Sequence, residues 1–345
     1  MGGAEESRRP PECQVTAVSI VLPVFNAART VHRAACSILD QSLQDLELIV
    51  VDDGSTDDSL DVLSSIRDER LKLITCSHRG VVAAANTGTQ HATAPIIARM
   101  DADDYSHRTR LQRQLDWLNT HDCDVVGCHV RILDQSGHAA TTLARYERWI
   151  NIETATPDQI AALRFVELPI VNPTIMARRE YFELGFHNDE FPEDYDLMLR
   201  AAEQGMRFGK VTETLFNWYD SSSRITRNDA RYSTEAFMNC RRHYFHSGPL
   251  HDVDVVDLWG VGQTGKPWLR WLQSKTIDVR RAFDVSPKKI GQAIHGVPVL
   301  APDDLPDCDG TMIVVAVGAG GSRELITEHL LKRGYVIGQD AWFVA

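Results

Sequence analysis

The sequence predicts an α/β protein, with a parallel sheet flanked by helices in its larger N-terminal part and a second, smaller α/β unit behind it. Three observations lead there. Short apolar runs rich in Val and Ile alternate with amphipathic stretches, the pattern of buried parallel strands and their crossover helices. Several runs end in acidic or glycine-rich turns. The alternation lapses and restarts near Val253.

The elements follow in order. Residues 15–23 are an apolar strand. Val31, Ala34, Ala35, Ile38 and Leu39 share one helical face. Residues 46–51 form the next strand and run into Asp52-Asp53-Gly54-Ser55-Thr56-Asp57-Asp58, whose short polar side chains suit capping of a helix over 60–66. A strand at 71–75, a small-residue helix at 81–92 and a strand at 96–100 come next, and the last runs into Asp101-Ala102-Asp103-Asp104. Leu111, Leu115 and Leu118 mark a helix, 125–133 a strand, 157–165 a helix opened by Pro157, and 194–204 a helix ended by Gly205. In the second unit, strands are expected at 253–258, 279–283 and 312–317, with helices at 268–273 and 324–332. The expected division is a disordered tail over 1–14, a first domain over 15–230, a linker helix over 231–252 and a second domain over 253–345.

Composition excludes some classes. Apolar residues at 43% and charged residues at 24% suit a globular core. A net charge of −12 argues against a non-specific nucleic-acid binder. The seven scattered cysteines contain no C-x-x-C pair, so free thiols in a reducing compartment are expected. No apolar run is long enough for a membrane span and the N-terminus is polar, which points to a cytoplasmic protein.

In parallel sheets with helical crossovers, ligands bind at the carboxyl ends of the strands. Asp52, Asp53, Asp101 and Asp103 all fall at such ends, so two distant acidic clusters should meet on one edge. Asp101-x-Asp103 supplies two carboxylates of the kind that hold Mg²⁺ or Mn²⁺ together with phosphate oxygens. A solvated acidic turn capping the next helix is the rival reading.

Four ordered motifs sharpen this: Pro23-Val24-Phe25-Asn26, residues 50–57, Met100-Asp101-Ala102-Asp103-Asp104 and Pro192-Glu193-Asp194-Tyr195-Asp196. Together they resemble the signature of the family 2 glycosyltransferases over about residues 15–225. The resemblance implies the GT-A fold and inverting transfer of a hexose from a nucleotide-sugar, a UDP-sugar among the candidates, to an acceptor hydroxyl. It implies that Asp52 and Asp53 meet the nucleoside, that Asp101 meets the ribose or the metal, and that Asp103 is the main metal ligand. It also implies that Asp194 is the catalytic base with Glu193 beside it. At a helix N-terminus Asp194 is expected to stay ionised at neutral pH; simple capping is the rival role. Pro23, Phe25 and Asn26 would line the donor site, with Phe25 stacked on the base or packed in the core. Arg99 would pair with diphosphate or with Asp101. Asn86 follows Ala85 where many members have arginine, and no histidine follows Phe216-Asn217-Trp218-Tyr219-Asp220, so Arg224 is the candidate diphosphate partner there.

Gly260-x-Gly262-x-x-Gly265 after a strand, with Asp284 further on, matches the dinucleotide fingerprint. These residues are candidates for nucleotide binding, but a Rossmann-like module that keeps its glycines for packing is the preferred reading, with acceptor recognition or homodimer formation as its task. The order of the whole chain, including Arg145-Tyr146-Glu147-Arg148-Trp149-Ile150-Asn151 and Phe283-Asp284-Val285, also resembles the queuosine-tRNA galactosyltransferases of animals. That implies a tRNA nucleoside as acceptor, with Arg145, Arg148 and Trp149 placed for a phosphate and a base. An acceptor in a cell-surface glycan precursor stays open beside it. A non-catalytic nucleotide-binding or scaffold protein on the same fold, and an NAD-linked enzyme centred on the glycine turn, are the alternatives.

Overall fold

A computed structural model describes residues 16–187, 190–221 and 229–345. The chain runs β1 (Val18–Val24), α1 (Val31–Leu39), β2 (Leu46–Asp52), α2 (Ser59–Ser65), β3 (Leu71–Thr75), α3 (Val81–His91), β4 (Ile96–Arg99), β5 (Tyr105–Ser106) and α4 (Arg110–Thr120). Then come β6 (Val125–Leu133), α5 (Ala144–Arg148), α6 (Pro157–Leu163), β7 (Met176–Arg178), α7 (Arg179–Glu183), α8 (Glu193–Glu203), β8 (Phe208–Tyr219) and α9 (Thr234–Ser247). The last part holds β9 (Val255–Trp259), α10 (Gly265–Ser274), β10 (Asp278–Phe283), β11 (Ala293–Ile294), β12 (Val297–Leu300), β13 (Met312–Val315), α11 (Ser322–Lys332) and β14 (Ala341–Phe343).

The first sheet has the order β3-β2-β1-β4-β7-β6-β8-β5. Its first four strands are parallel, as expected from the strand–helix repeats. The expectation of an all-parallel sheet fails beyond β4: β7 lies antiparallel to both β4 and β6, and β5 antiparallel to β8. β5 and β7 are only two and three residues long, and β4 runs into β5 without an intervening helix, so no crossover imposes parallel pairing there. The second sheet has the order β11-β12-β10-β9-β13-β14 and is parallel apart from β11. Its chain turns back at β9, which has β10 on one side and β13 on the other.

Burial follows the apolar pattern. The five α1 residues named from its period are all buried, and β2 is buried from end to end. One buried polar network ties the first sheet together: Glu47 on β2 accepts from Ser19 on β1 and from Thr93 before β4. Burial alone would raise the Glu47 pKa, but hydrogen bonds from Lys72, Ser19 and Thr93 hold it down at about 2.

The two sheets share a core. One cluster of buried residues runs from Val21 and Val51 through Phe165, Tyr195 and Phe245 to Val256, Trp268 and Trp342. Helix α9, expected as a linker, sits in the middle of it. Phe245 lies edge-on to Phe165 at 5.1 Å and to Trp268 at 5.8 Å.

Candidate active site

The carboxyl ends of β2 and β4 lie on one edge of the first sheet, and the acidic turns gather there. At the end of β2, Asp52 and Asp53 are both buried. Asp53 accepts from the backbone N–H groups of Arg79 (2.9 Å) and Gly80 (2.7 Å), and its carboxylate lies 2.8 Å from His78 Nδ1. His78 in turn stacks on Phe25, with ring centroids 4.0 Å apart and planes 21° from parallel. Phe25 is 45% exposed, so it is a platform on the surface and not part of the core. Gly54 permits this approach: it has φ +73°, and a Cβ there would sit 2.8 Å from the His78 nitrogen. Asn26, also at positive φ, uses its side chain to accept from Thr56 N–H at 2.8 Å. Pro23 pairs in register with Val51. Asn26 and Pro23 therefore shape the loop beside the platform.

At the end of β4, Arg99 is almost fully buried and donates to Asp101 Oδ1 at 3.1 Å and to the Val21 carbonyl at 3.3 Å. Of its two expected partners, the structure pairs it with Asp101. Arg33 donates to the Asp103 carbonyl at 2.5 Å and covers the Tyr219 ring at 3.9 Å. Tyr219 N–H donates to the buried Asp104 at 2.8 Å. The acidic turn is thus held by its backbone and by Asp104, while the Asp101 and Asp103 side chains are only half-buried.

Helix α8 brings the third acidic group. Glu193, Asp194 and Asp196 lie in its first turn. Asp194 sits deep among protein atoms but keeps part of its surface accessible. Its pKa is pushed up to about 8, first by burial, then by the Glu193 carboxylate, with Asp101 adding to the effect. The expectation that Asp194 stays ionised at neutral pH is therefore corrected. Loss of hydration and two neighbouring negative charges outweigh the N–H groups of the helix terminus. The same interaction shows that Asp101 and Asp194, far apart in sequence, face one another's field. Glu193 is buried and lies 2.5 Å from the Tyr232 hydroxyl through both of its oxygens.

Sequence reasoning missed three residues here and gave no role to Asn86, which it singled out. His78 and Arg33 act through contacts between loops that carry no local pattern. Tyr232 lies in the segment read as a linker. Asn86 bridges α3 to the loop after α7, donating to the Phe186 carbonyl at 2.8 Å and accepting from Phe186 N–H at 2.9 Å. Arg224 lies outside the described residues. Among the described residues no group of three or more His, Cys, Asp and Glu is placed to hold a metal ion.

The second sheet carries its glycine turn at the carboxyl end of β9. Gly260 has φ +99°, and a Cβ on Gly265 would lie 1.8 Å from the Gly260 carbonyl oxygen. A Cβ on Gly262 would meet only Lys289 Nζ, at 3.8 Å. Asp284 accepts from Val261 N–H (3.1 Å), Ser286 N–H (2.9 Å) and Lys289 Nζ (2.7 Å). The pKa of Asp284 is lowered; burial opposes the shift, but Lys289, Ser286 and Val261 outweigh it. Arg145 lies against the other glycine turn, where a Cβ on Gly320 would sit 3.3 Å from its guanidinium carbon. Arg148 is exposed, but Trp149 is only 6% exposed and packs by Tyr146, with ring centroids 5.9 Å apart. Trp149 is therefore core and is not available to stack on a nucleobase, because its apolar ring packs inward once the preceding helix folds.

Glycosyl transferase family 2 matches this chain over residues 19–185. The chain is 30% identical over 239 residues to "Putative glycosyltransferase EpsE" of Bacillus subtilis (strain 168), covering 65% of this chain and 82% of that protein. It is 26% identical over 232 residues to the O-antigen biosynthesis glycosyltransferase WbnJ of Escherichia coli, covering 65% of this chain and 85% of WbnJ. Among solved structures, S. aureus TarS 1-349 in complex with UDP superposes with a TM-score of 0.50 at 16% identity, over 68% of this chain and 67% of TarS. At that identity the likeness is one of fold. No helix among the described residues is long and apolar enough to cross a membrane.

Proposed function

The chain belongs to glycosyl transferase family 2, and from that premise we propose that it moves a hexosyl group from a UDP-sugar to a hydroxyl of a glycan precursor, with inversion at the anomeric carbon. The observation that carries the reading is the gathering of Asp52, Asp53 and Asp101 at the carboxyl ends of β2 and β4, with Asp194 at the start of α8 near enough for Asp101 to add to its raised pKa. Phe25 and His78 would form the wall for the nucleobase, and the Asp52–Asp53 turn would hold the nucleoside end. Two oxygen-donor carboxylates at a strand end fit a hard divalent cation, with diphosphate oxygens and water completing its shell. Asp103 and Asp101 would hold it, and the bound cation would offset charge on the departing diphosphate. Asp194 would take the proton from the attacking hydroxyl, and a base with a pKa near working pH is well matched to that task. The glycan acceptor is favoured over a tRNA nucleoside by the net charge of −12 and by the burial of Trp149.

The test is a thermal-shift panel of UDP- and GDP-sugars with and without Mn²⁺. A ligand at a hundred times its Kd adds about 2.7 kcal/mol to stability, or ~2–4 °C for a chain of this size. The expected result is a Mn²⁺-dependent shift with a UDP-sugar that disappears in Asp103→Ala. A shift that survives in Asp103→Ala, or no shift with any nucleotide-sugar, would remove the metal and donor assignment.

A further inference from the structure

The first turn of α8 presents two adjacent carboxylates, and the transfer needs one base. Glu193 and Asp194 differ in how they are held. The Tyr232 hydroxyl lies 2.5 Å from both oxygens of Glu193. A phenol has one proton to donate and either carboxylate oxygen can accept it, so this contact holds the Glu193 carboxyl group in place. Asp196 is held in the same manner: Tyr244 donates to its Oδ1 at 2.5 Å and Arg200 Nε to its Oδ2 at 2.9 Å. Both tyrosines come from one segment, the turn Ala230–Tyr232 and helix α9 behind it. That segment also packs on helix α10 of the second unit, where Arg242 covers the Trp268 ring at 5.4 Å. Of the three acids in the first turn, Asp194 is the one held by backbone alone among the described residues, accepting from Tyr195 N–H at 2.8 Å. The groups whose charge or burial bears on it are Glu193 and Asp101, with Tyr181, Tyr232 and Cys240 nearby.

We propose that Tyr232 is a positioning residue of the transfer reaction: it ties down the Glu193 carboxyl group, and so leaves Asp194 as the carboxylate that accepts the proton of the acceptor hydroxyl. In that step the acceptor O–H bond breaks and its proton passes to Asp194. The freed oxygen lone pair forms the new bond to the anomeric carbon, and the sugar–phosphate bond electrons leave with the nucleoside diphosphate. The inference rests on the reading of Asp194 as base.

The experiment is a double-mutant cycle of Tyr232→Phe and Glu193→Gln in the full chain. UDP-glucose, UDP-galactose and UDP-N-acetylglucosamine serve as probes, with release of UDP into water as the rate and melting temperature as the control. Tyr232→Phe is expected to melt and bind donor as the parent does and to lose about tenfold to a hundredfold in rate, the scale of a hydrogen bond to a charged group. Glu193→Gln should lose rate similarly, and the double variant should be no slower than the slower single variant, because both act through one contact. Parental turnover in Tyr232→Phe, multiplying losses, or a rate loss that tracks a fall in melting temperature would overturn the proposal. If the phenylalanine variant fails to fold, Glu193→Gln decides alone, with donor binding kept and rate lost as the required result. Normal turnover in Asp194→Asn would instead sink the base assignment, whatever Tyr232 does.

Discussion

Two sheet edges in this molecule carry motifs associated with nucleotides, and they differ in what their own polar groups are engaged in. At the edge of the first sheet, Asp194 bears a raised pKa: its charge is poorly matched by its surroundings. At the edge of the second, Asp284 bears a lowered pKa, with a lysine and two backbone N–H groups already on its oxygens. The glycines of the second edge are also engaged, since Gly265 lets α10 pack onto the Gly260 carbonyl. An unmet charge in a cleft marks chemistry still to be done, whereas a satisfied one marks a finished structure. We therefore read the first edge as the reactive one and the second as packing.

The largest expected effect separates the two edges directly. Asp194→Asn should cut transfer by about 10²–10⁴-fold, the range for loss of a general base, while a donor-induced thermal shift persists. Asp284→Asn should leave turnover within twofold (about 0.4 kcal/mol). Equal losses from the two variants, measured as UDP release, would erase the distinction.

Next comes a contrast within the glycine turn. A methyl group on Gly265 would collide with a backbone oxygen 1.8 Å away, so Gly265→Ala should cost more than about 3 kcal/mol in denaturant unfolding. Gly262→Ala meets open space apart from the end of a lysine and should stay within about 0.5 kcal/mol of the parent. NAD should shift the melting temperature of neither the parent nor Gly262→Ala. A shift in the parent that is lost in Gly262→Ala would mean that a pyrophosphate does approach this turn, and the second edge would then be a site.

Much of the first edge was legible. Apolar runs and acidic turns located β1 to β4 and placed Asp52, Asp53, Asp101 and Asp103 together, because strand direction alone decides where carboxyl ends fall. The β7–β6–β8 arrangement was not legible, since β7 has three residues and no alternation to read. His78 gains its role from a turn that folds back over Asp53, and Tyr232 from a contact 39 positions away in the chain. Neither leaves a periodic trace. The Asp194 pKa was misjudged for another reason. The helix N-terminus is a local feature and was counted, but the burial and the Asp101 field that oppose it exist only after folding.

The smallest effect tests the comparison through its sign. Asp194 has a folded-state pKa of about 8, above its unfolded value, so it contributes stability below about pH 4 that is lost as pH rises toward 8. Asp284 is depressed, so its contribution is present above its unfolded pKa and is lost as pH falls. Glu47, held at about 2, gives the same acid-side loss in both variants and cancels when each is compared with the parent. Melting temperatures of the parent, Asp194→Asn and Asp284→Asn between about pH 2 and 8 should therefore diverge in different windows. Asp194→Asn should gain on the parent as pH rises, because the parent must ionise a group its fold disfavours. Asp284→Asn should run parallel to the parent above about pH 4 and lose on it only over the climb from about pH 2 to 4, because there the parent gains a charge that Lys289 and two N–H groups are set to hold. Curves parallel over the whole range would mean that the two carboxylates sit in equivalent environments, and the first edge would lose its claim to be the reactive one.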